Sequence, residues 1–175
     1  MKVDCQPNSE HVSINGNAEK VLVIGLGNPI LGDDGVGWRV AEIVQASLEH
    51  HPGVEVECLS VGGLSLMERM LGYGRVVLID AMETGTVAEG HVSTFGLSEL
   101  RQADAGHSGS AHDASLLTAL QTARAMGALV PRRVDIVAIE TLQCHDFTEH
   151  LSPPAQAAVP TAAQQVFSLL SSSPS

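Results

Sequence analysis

The sequence predicts a three-layer α/β sandwich around a mostly parallel sheet, and three observations carry that prediction. Short, nearly continuous apolar runs recur at residues 20–27, 75–81 and 133–140, as expected of strands buried on both faces. Helical periodicity returns after these strands and again at the C-terminal end. Strands alternating with helices imply crossovers that cover both faces of one sheet. At 175 residues the chain is a single domain with room for a sizeable core.

Residues 1–19 are polar and lack both an apolar signal core and an Arg-rich amphipathic pattern. They are expected to be a flexible tail, ahead of one domain at 20–170 and a frayed end at 171–175. "KVLVIGLG" (20–27) is the first strand. From Gly35 the pattern turns helical, with Val36, Val40, Ile43, Val44 and Ser47 on one face and Arg39, Glu42 and Glu49 elsewhere. "VEVECLSV" (54–61) alternates like a strand, and "LSLMERML" (64–71) is a short helix ending at Gly72. "RVVLIDA" (75–81) is a buried strand that delivers Asp80 at its carboxyl end. The next strand, "HVSTF" (91–95), follows a connection with Gly85 and Gly90 but no helical pattern. A parallel return needs about a dozen residues or more, normally with a helix, so this strand is predicted to run antiparallel. A helix with Leu116, Leu120 and Ala123 on one face precedes the last strand, "RVDIVAIE" (133–140). "SPPAQAAVPTAAQQVFSLL" (152–170) is helical, with Pro160 either starting its second half or kinking it.

Composition narrows the function classes. The chain carries 9 Lys and Arg against 20 Asp and Glu, a net charge of −11. Nucleic acid and anionic membranes both demand a basic patch, so neither is expected as a partner. No apolar run approaches the ~20 residues of a membrane-spanning helix. A cytoplasmic monomer is the expectation. Cys5, Cys58 and Cys144 are scattered and form no CxxC pair, which argues against a disulfide framework or a thiolate zinc site.

The chemistry is sought in "VLVIGLGNPILGDDGVGWRVAEIV" (21–44). Gly25 and Gly27 fit a dinucleotide fingerprint, but the third glycine position is Ile30 and the second strand ends without an acidic residue. Asp33 and Asp34 would also repel a pyrophosphate at the helix N-terminus. Gly25 and Gly27 are read instead as letting the loop turn sharply. Asp33 reads as a turn and cap residue. Asp34 gains meaning from the rest of the sheet. In doubly wound sheets ligands bind beyond the carboxyl ends of the strands, at a topological switch point. That edge would gather Asp34, Asp80 and His112, the last at a helix entrance. Separately each has a bland reading, as a cap, a loop acceptor and a surface histidine. Together two carboxylates and an imidazole suit a borderline divalent ion such as nickel or zinc. A helix N-terminus also biases His112 toward the neutral, metal-binding form. His107, in a Gly/Ser loop, is a rival ligand; Asp113 reads as electrostatic support for the helix start.

In order along the chain, "VIGLGNPILGDDGVGWRVAEIV", "GGLSLMERMLGYGRVVLIDAM", "HDASLLTALQTARAMG", "RVDIVAIE" and "LSPPAQAAVP" resemble the hydrogenase maturation protease family. The resemblance runs from about residue 21 to about residue 170; its most specific part is "GNPILGDDGVG" and its loosest is "SGSAHDASL". These endopeptidases trim the C-terminal extension from the large subunit of nickel–iron hydrogenases. The resemblance implies a phosphorylase/hydrolase-like sandwich with a mixed five-stranded sheet. It implies metal-contacting, catalytic positions at Asp34, Asp80 and His112, and a substrate-binding region around Gly62 and Gly63. It further implies that nickel arrives with the precursor substrate, where it supports hydrolysis by polarising a carbonyl or activating a water. Two other readings compete. A non-cleaving metal-site chaperone would need the same ligands. Peptidyl-tRNA hydrolases open with a similar "GLGNP", but should continue to Thr-Arg-His-Asn and present a basic surface; this chain continues "ILGDDGVG" and is acidic.

Overall fold

The computed structural model describes residues 20–48, 53–99, 111–142 and 147–172, with the backbone alone at 111–114. The elements are β1 (Val21–Leu26), a 3-10 turn (Gly32–Gly35), α1 (Val36–Ser47), β2 (Val54–Leu59), α2 (Gly63–Met70) and β3 (Arg75–Met82). They continue with β4 (Val92–Gly96), α3 (Ala111–Ala125), β5 (Arg133–Glu140) and α4 (Pro153–Ser171). The five strands form one sheet in the order β2-β1-β3-β5-β4. β1, β2, β3 and β5 are parallel. β4 pairs antiparallel with β5, Val92 opposite Ile139, as its short connection requires. The chain leaves β1 for β2 on one side and returns to β3 on the other, so the switch point falls between β1 and β3.

Alternation along the strands divides the core in two. Val23, Val77, Ile79, Val137 and Ile139 face α1 and α4. Leu22, Ile24, Val76, Leu78 and Ile136 face α2 and α3, where Leu116, Leu120 and Ala123 are buried as the periodicity predicts. α1 differs from its predicted face. Val36, Val40 and Val44 are fully buried, but Ile43 is 40% exposed and Ser47 is exposed; Gly37 and Ala41 take the inner positions instead. The reason is close approach. A methyl on Gly25 would overlap the Gly37 carbonyl and the Ala41 side chain, and one on Gly37 would overlap the carbonyls of Leu26 and Ile79. The helix therefore rolls its smallest residues onto β1 and carries Ile43 outward.

α4 runs unbroken through Pro160, which is exposed, so Pro160 does not begin a second helix. Its inward face of Ala155, Ala158, Val159, Ala162, Ala163 and Val166 packs on the sheet across the proline. The helix opens with Ser152 as N-cap, its hydroxyl accepting from the Ala155 amide at 3.3 Å, and Pro153 and Pro154 in its first turn. At the amino edge of the sheet, buried Arg75 donates to Asp135 through Nε (3.0 Å) and Nη2 (2.8 Å), and Arg133 adds a third bond. These pairings commit Asp135 to structure.

Candidate active site

The site begins where β1 stops. Gly27 adopts φ 118°, a region L side chains avoid, and a methyl there would overlap the Asp34 carbonyl. Gly27 therefore makes the sharp turn predicted for it. Gly25 lies inside β1 and serves the contact with α1 instead. Beyond Gly27 the chain folds back on itself: the Leu31 amide bonds Asn28 O at 3.0 Å, and Asp34 Oδ2 accepts from the Asn28 amide at 2.6 Å. A distant segment braces the same loop. The Thr148 amide bonds Ile30 O at 3.1 Å, and the Gly32 amide bonds Thr148 O at 2.7 Å.

The two adjacent aspartates have different fates. Asp34 is half-buried and lines a cleft. Asp33 is fully buried, and it does not cap the turn or α1 as expected. Its Oδ1 accepts from the Ser152 amide at 2.6 Å, tying the 3-10 turn to the start of α4; its Oδ2 is buried with no hydrogen-bond partner among the described residues. Asp33→Ala should therefore strand the buried Ser152 amide and cost about 1–3 kcal/mol of folding stability. Asp33→Asn, which keeps an acceptor oxygen, should cost less. Urea denaturation monitored by circular dichroism reads both. Catalysis by the folded Asp33→Ala variant should suffer much less than in an Asp34→Ala variant.

Asp80 lies near the carboxyl end of β3, which runs on to Met82; it is half-buried, with Oδ1 accepting from the Ala81 amide at 2.9 Å. Asp34 and Asp80 line one cleft of about 220 Å³, formed with Leu26, Gly27, Asn28, Ser60, Val61 and Gly62. It lies beyond the carboxyl ends of β1, β2 and β3, at the switch point. Ser60 closes the wall by donating its hydroxyl to Gly27 O at 2.7 Å. Trp38 Nε1 and the Gly27 amide each donate to Leu59 O at 3.2 Å and fix the end of β2.

The third predicted residue, His112, lies in the first turn of α3. Its side chain, like that of Asp113, is outside the described residues, and so is His107 altogether. The helix start is nonetheless near the cleft. A methyl on Gly63, next to cleft residue Gly62, would come within 3.3 Å of Ser115 Oγ, and position 112 is one turn earlier on that helix. Among the described residues no group of three or more His, Cys, Asp or Glu side chains could hold a metal ion by itself. Asp34 and Asp80 offer hard oxygen donors, and each carboxylate is oriented by a backbone N–H, as metal-binding carboxylates commonly are.

Sequence reasoning passed over Glu140. It is buried at the carboxyl end of β5, where Oε1 accepts from the amides of Thr84 (2.9 Å) and Gly85 (2.7 Å). Oε2 accepts from the Thr84 hydroxyl at 2.8 Å. Glu140 thus organises the loop leaving β3. The available signal was an acidic residue closing "DIVAIE", as Asp80 closes "VVLID". The described cysteine, Cys58, is half-buried, and burial, followed by nearby Glu42, pushes its thiol pKa up. This disfavours the reactive thiolate. Cys5 and Cys144 lie outside the described residues. A larger groove of about 650 Å³ lies at the opposite sheet edge, against Arg124, Arg132 and Arg133. It is remote from Asp34 and Asp80.

Several exposed apolar residues lie in the connections at the carboxyl edge of the sheet. Ile30, Val61, Leu64, Val87, Leu142 and Phe147, the last 87% exposed, all occupy segments at the carboxyl edge of the sheet. Of the described exposed large apolar residues, Ile43, Met126 and Leu129 lie elsewhere. No described helix is long and apolar enough to cross a membrane.

Sheet order and the switch-point cleft define an α/β sandwich with a candidate site at the carboxyl edge of its sheet, and comparison with known proteins gives its family. The model of the hydrogenase maturation protease family matches residues 38–169, which include Asp80 and His112 and begin just after Asp34. The hydrogenase expression/formation protein HupD of Rhizobium leguminosarum bv. viciae is 24% identical over 155 residues, 89% of this chain and 76% of that protein. Among solved structures, the [NiFe] hydrogenase maturation protease HybD from Thermococcus kodakarensis superposes with a TM-score of 0.67 at 25% identity, covering 86% of this chain and 98% of that one. The hydrogenase maturating endopeptidase HybD from E. coli shares the fold with a TM-score of 0.68 at 24% identity, covering 86% and 91%. The chain belongs to the hydrogenase maturation protease family. It is an endopeptidase of that family, which sets aside the peptidyl-tRNA hydrolase reading.

Proposed function

We propose that this endopeptidase removes the C-terminal extension from the large-subunit precursor of a nickel–iron hydrogenase, and does so by recognising nickel already loaded into the precursor. The observation that carries the reading is the meeting of Asp34 and Asp80 in one cleft at the switch point. Nickel belongs here to the substrate, where soft thiolates hold it. Carboxylate oxygens and an imidazole add hard to borderline donors to such an ion. Asp34, Asp80 and His112 are the proposed contacts. The approach of Ser115 to Gly63 supports including position 112.

Contact with the ion docks the precursor and lays the scissile peptide along the cleft. The ion supplies Lewis acidity. Hydrolysis then forms a bond between a water oxygen and the carbonyl carbon and breaks the carbon–nitrogen bond. One water proton ends on the departing amine, and the new carboxyl group ionises. The exposed apolar residues in the loops at the carboxyl edge of the sheet give the body of a protein substrate a surface to rest on.

Intact-mass measurement of a nickel-loaded precursor, before and after incubation, tests the proposal. The expected result is loss of the extension's mass and release of the matching peptide. A stable complex with unchanged precursor mass would establish the metal-site chaperone instead.

A further inference from the structure

We infer that Asn28 is a catalytic residue, its side-chain amide donating to the oxygen of the scissile carbonyl. The inference rests on the Asp34–Asp80 cleft being the reaction site. As water adds to a peptide carbonyl, negative charge grows on the carbonyl oxygen. Two carboxylates line this cleft and oppose that charge. A donor fixed in the wall offsets them, and such donors are among the largest contributions to acyl-transfer catalysis.

The donor follows from the bonding around the cleft. Two lining side chains besides the carboxylates carry polar groups, Asn28 and Ser60. The Ser60 hydroxyl is committed to Gly27 O at 2.7 Å. Asn28 Oδ1 accepts from the Ile30 amide at 3.3 Å, which fixes which end of the side chain is oxygen. Its NH2 group then remains, with two N–H bonds to give and no described residue receiving one. Asn28 also follows the turn residue Gly27, and its main-chain N–H holds Asp34 at 2.6 Å. The same residue thus orients a carboxylate through its backbone and offers a donor through its side chain. Substituting the side chain leaves the backbone bond available.

Three variants separate a donor from a loop support. Asn28→Ala removes both the acceptor for Ile30 and the donor. Asn28→Asp keeps the acceptor and removes the donor while adding a third carboxylate to the cleft, so it is compared with Asn28→Ser, which keeps a small acceptor without that charge. The experiment measures single-turnover cleavage of nickel-loaded precursor by saturating enzyme, alongside the affinity of each variant for that precursor. Thermal unfolding checks that each variant folds. If Asn28 donates to the carbonyl oxygen, all three variants cut about 10²–10³-fold more slowly, with affinity for loaded precursor retained. A slow Asn28→Ala beside a normal Asn28→Asp or Asn28→Ser would make Asn28 a loop support and overturn the inference. Normal cleavage by all three, or by Asn28→Ala alone, would also overturn it. Asp34→Ala is run in parallel: if that variant cuts normally, the failure lies with the cleft assignment, whatever Asn28 does.

Discussion

Asp34→Ala and Asp80→Ala each leave nickel-loaded precursor essentially uncut, with cleavage reduced by at least about 10²–10³-fold, on the scale seen when a key charged or donor group is removed. Both carboxylates line the cleft, so their removal takes away the oxygens proposed to meet the substrate's ion. The fold should survive. Each side chain is half-buried and holds a local backbone amide, Asn28 in one case and Ala81 in the other. A hydrogen bond to a charged group is worth about 1.5–3 kcal/mol, below the 5–15 kcal/mol typical of a domain. His112→Ala should match the aspartate variants, whereas His107→Gln should process normally. Product mass and denaturant midpoints, measured on the same preparations, separate lost chemistry from lost folding. Normal processing by either aspartate variant would remove that residue from the site.

Precursor that lacks nickel should remain uncut by the wild-type enzyme. In the proposed mechanism the ion is the docking point and the Lewis acid, so without it the scissile bond is neither placed nor activated. Inhibitors that trap serine or cysteine nucleophiles should have no effect. The raised pKa of the half-buried Cys58 thiol agrees with that expectation for the described cysteine. Time courses with nickel-free and nickel-loaded precursor, followed by mass, provide the check. Cleavage of both at the same rate would refute recognition through the substrate's metal.

Much of the fold was legible because β1, β3 and β5 are buried on both faces and therefore read as unbroken apolar runs. The direction of β4 was legible from the length of its connection alone. Asp34 and Asp80 could be paired from topology, since one follows the end of β1 and the other lies near the end of β3, and a parallel sheet brings both to one edge. What escaped reading was bonding between distant segments. Asp33 looks like a local cap, yet its partner Ser152 lies 119 positions away. The bracing of the Ile30–Gly32 backbone by Thr148 is equally invisible in a linear pattern. The face of α1 was misjudged for a related reason: periodicity weighs large apolar residues, whereas Gly25, Gly37 and Ala41 set the helix by how closely backbones can meet. Glu140 was missed because its partners, Thr84 and Gly85, lie more than fifty positions away in the loop after β3.

The central claim is that Asp34 and Asp80 touch the nickel carried by the substrate. Nickel X-ray absorption on a loaded precursor, with its scissile bond altered so that the complex persists, tests this directly. Adding wild-type enzyme should bring new oxygen or nitrogen donors into the nickel's first coordination shell, and Asp34→Ala or Asp80→Ala should diminish that change. A bound complex in which the nickel spectrum is the same with and without wild-type enzyme would contradict the account.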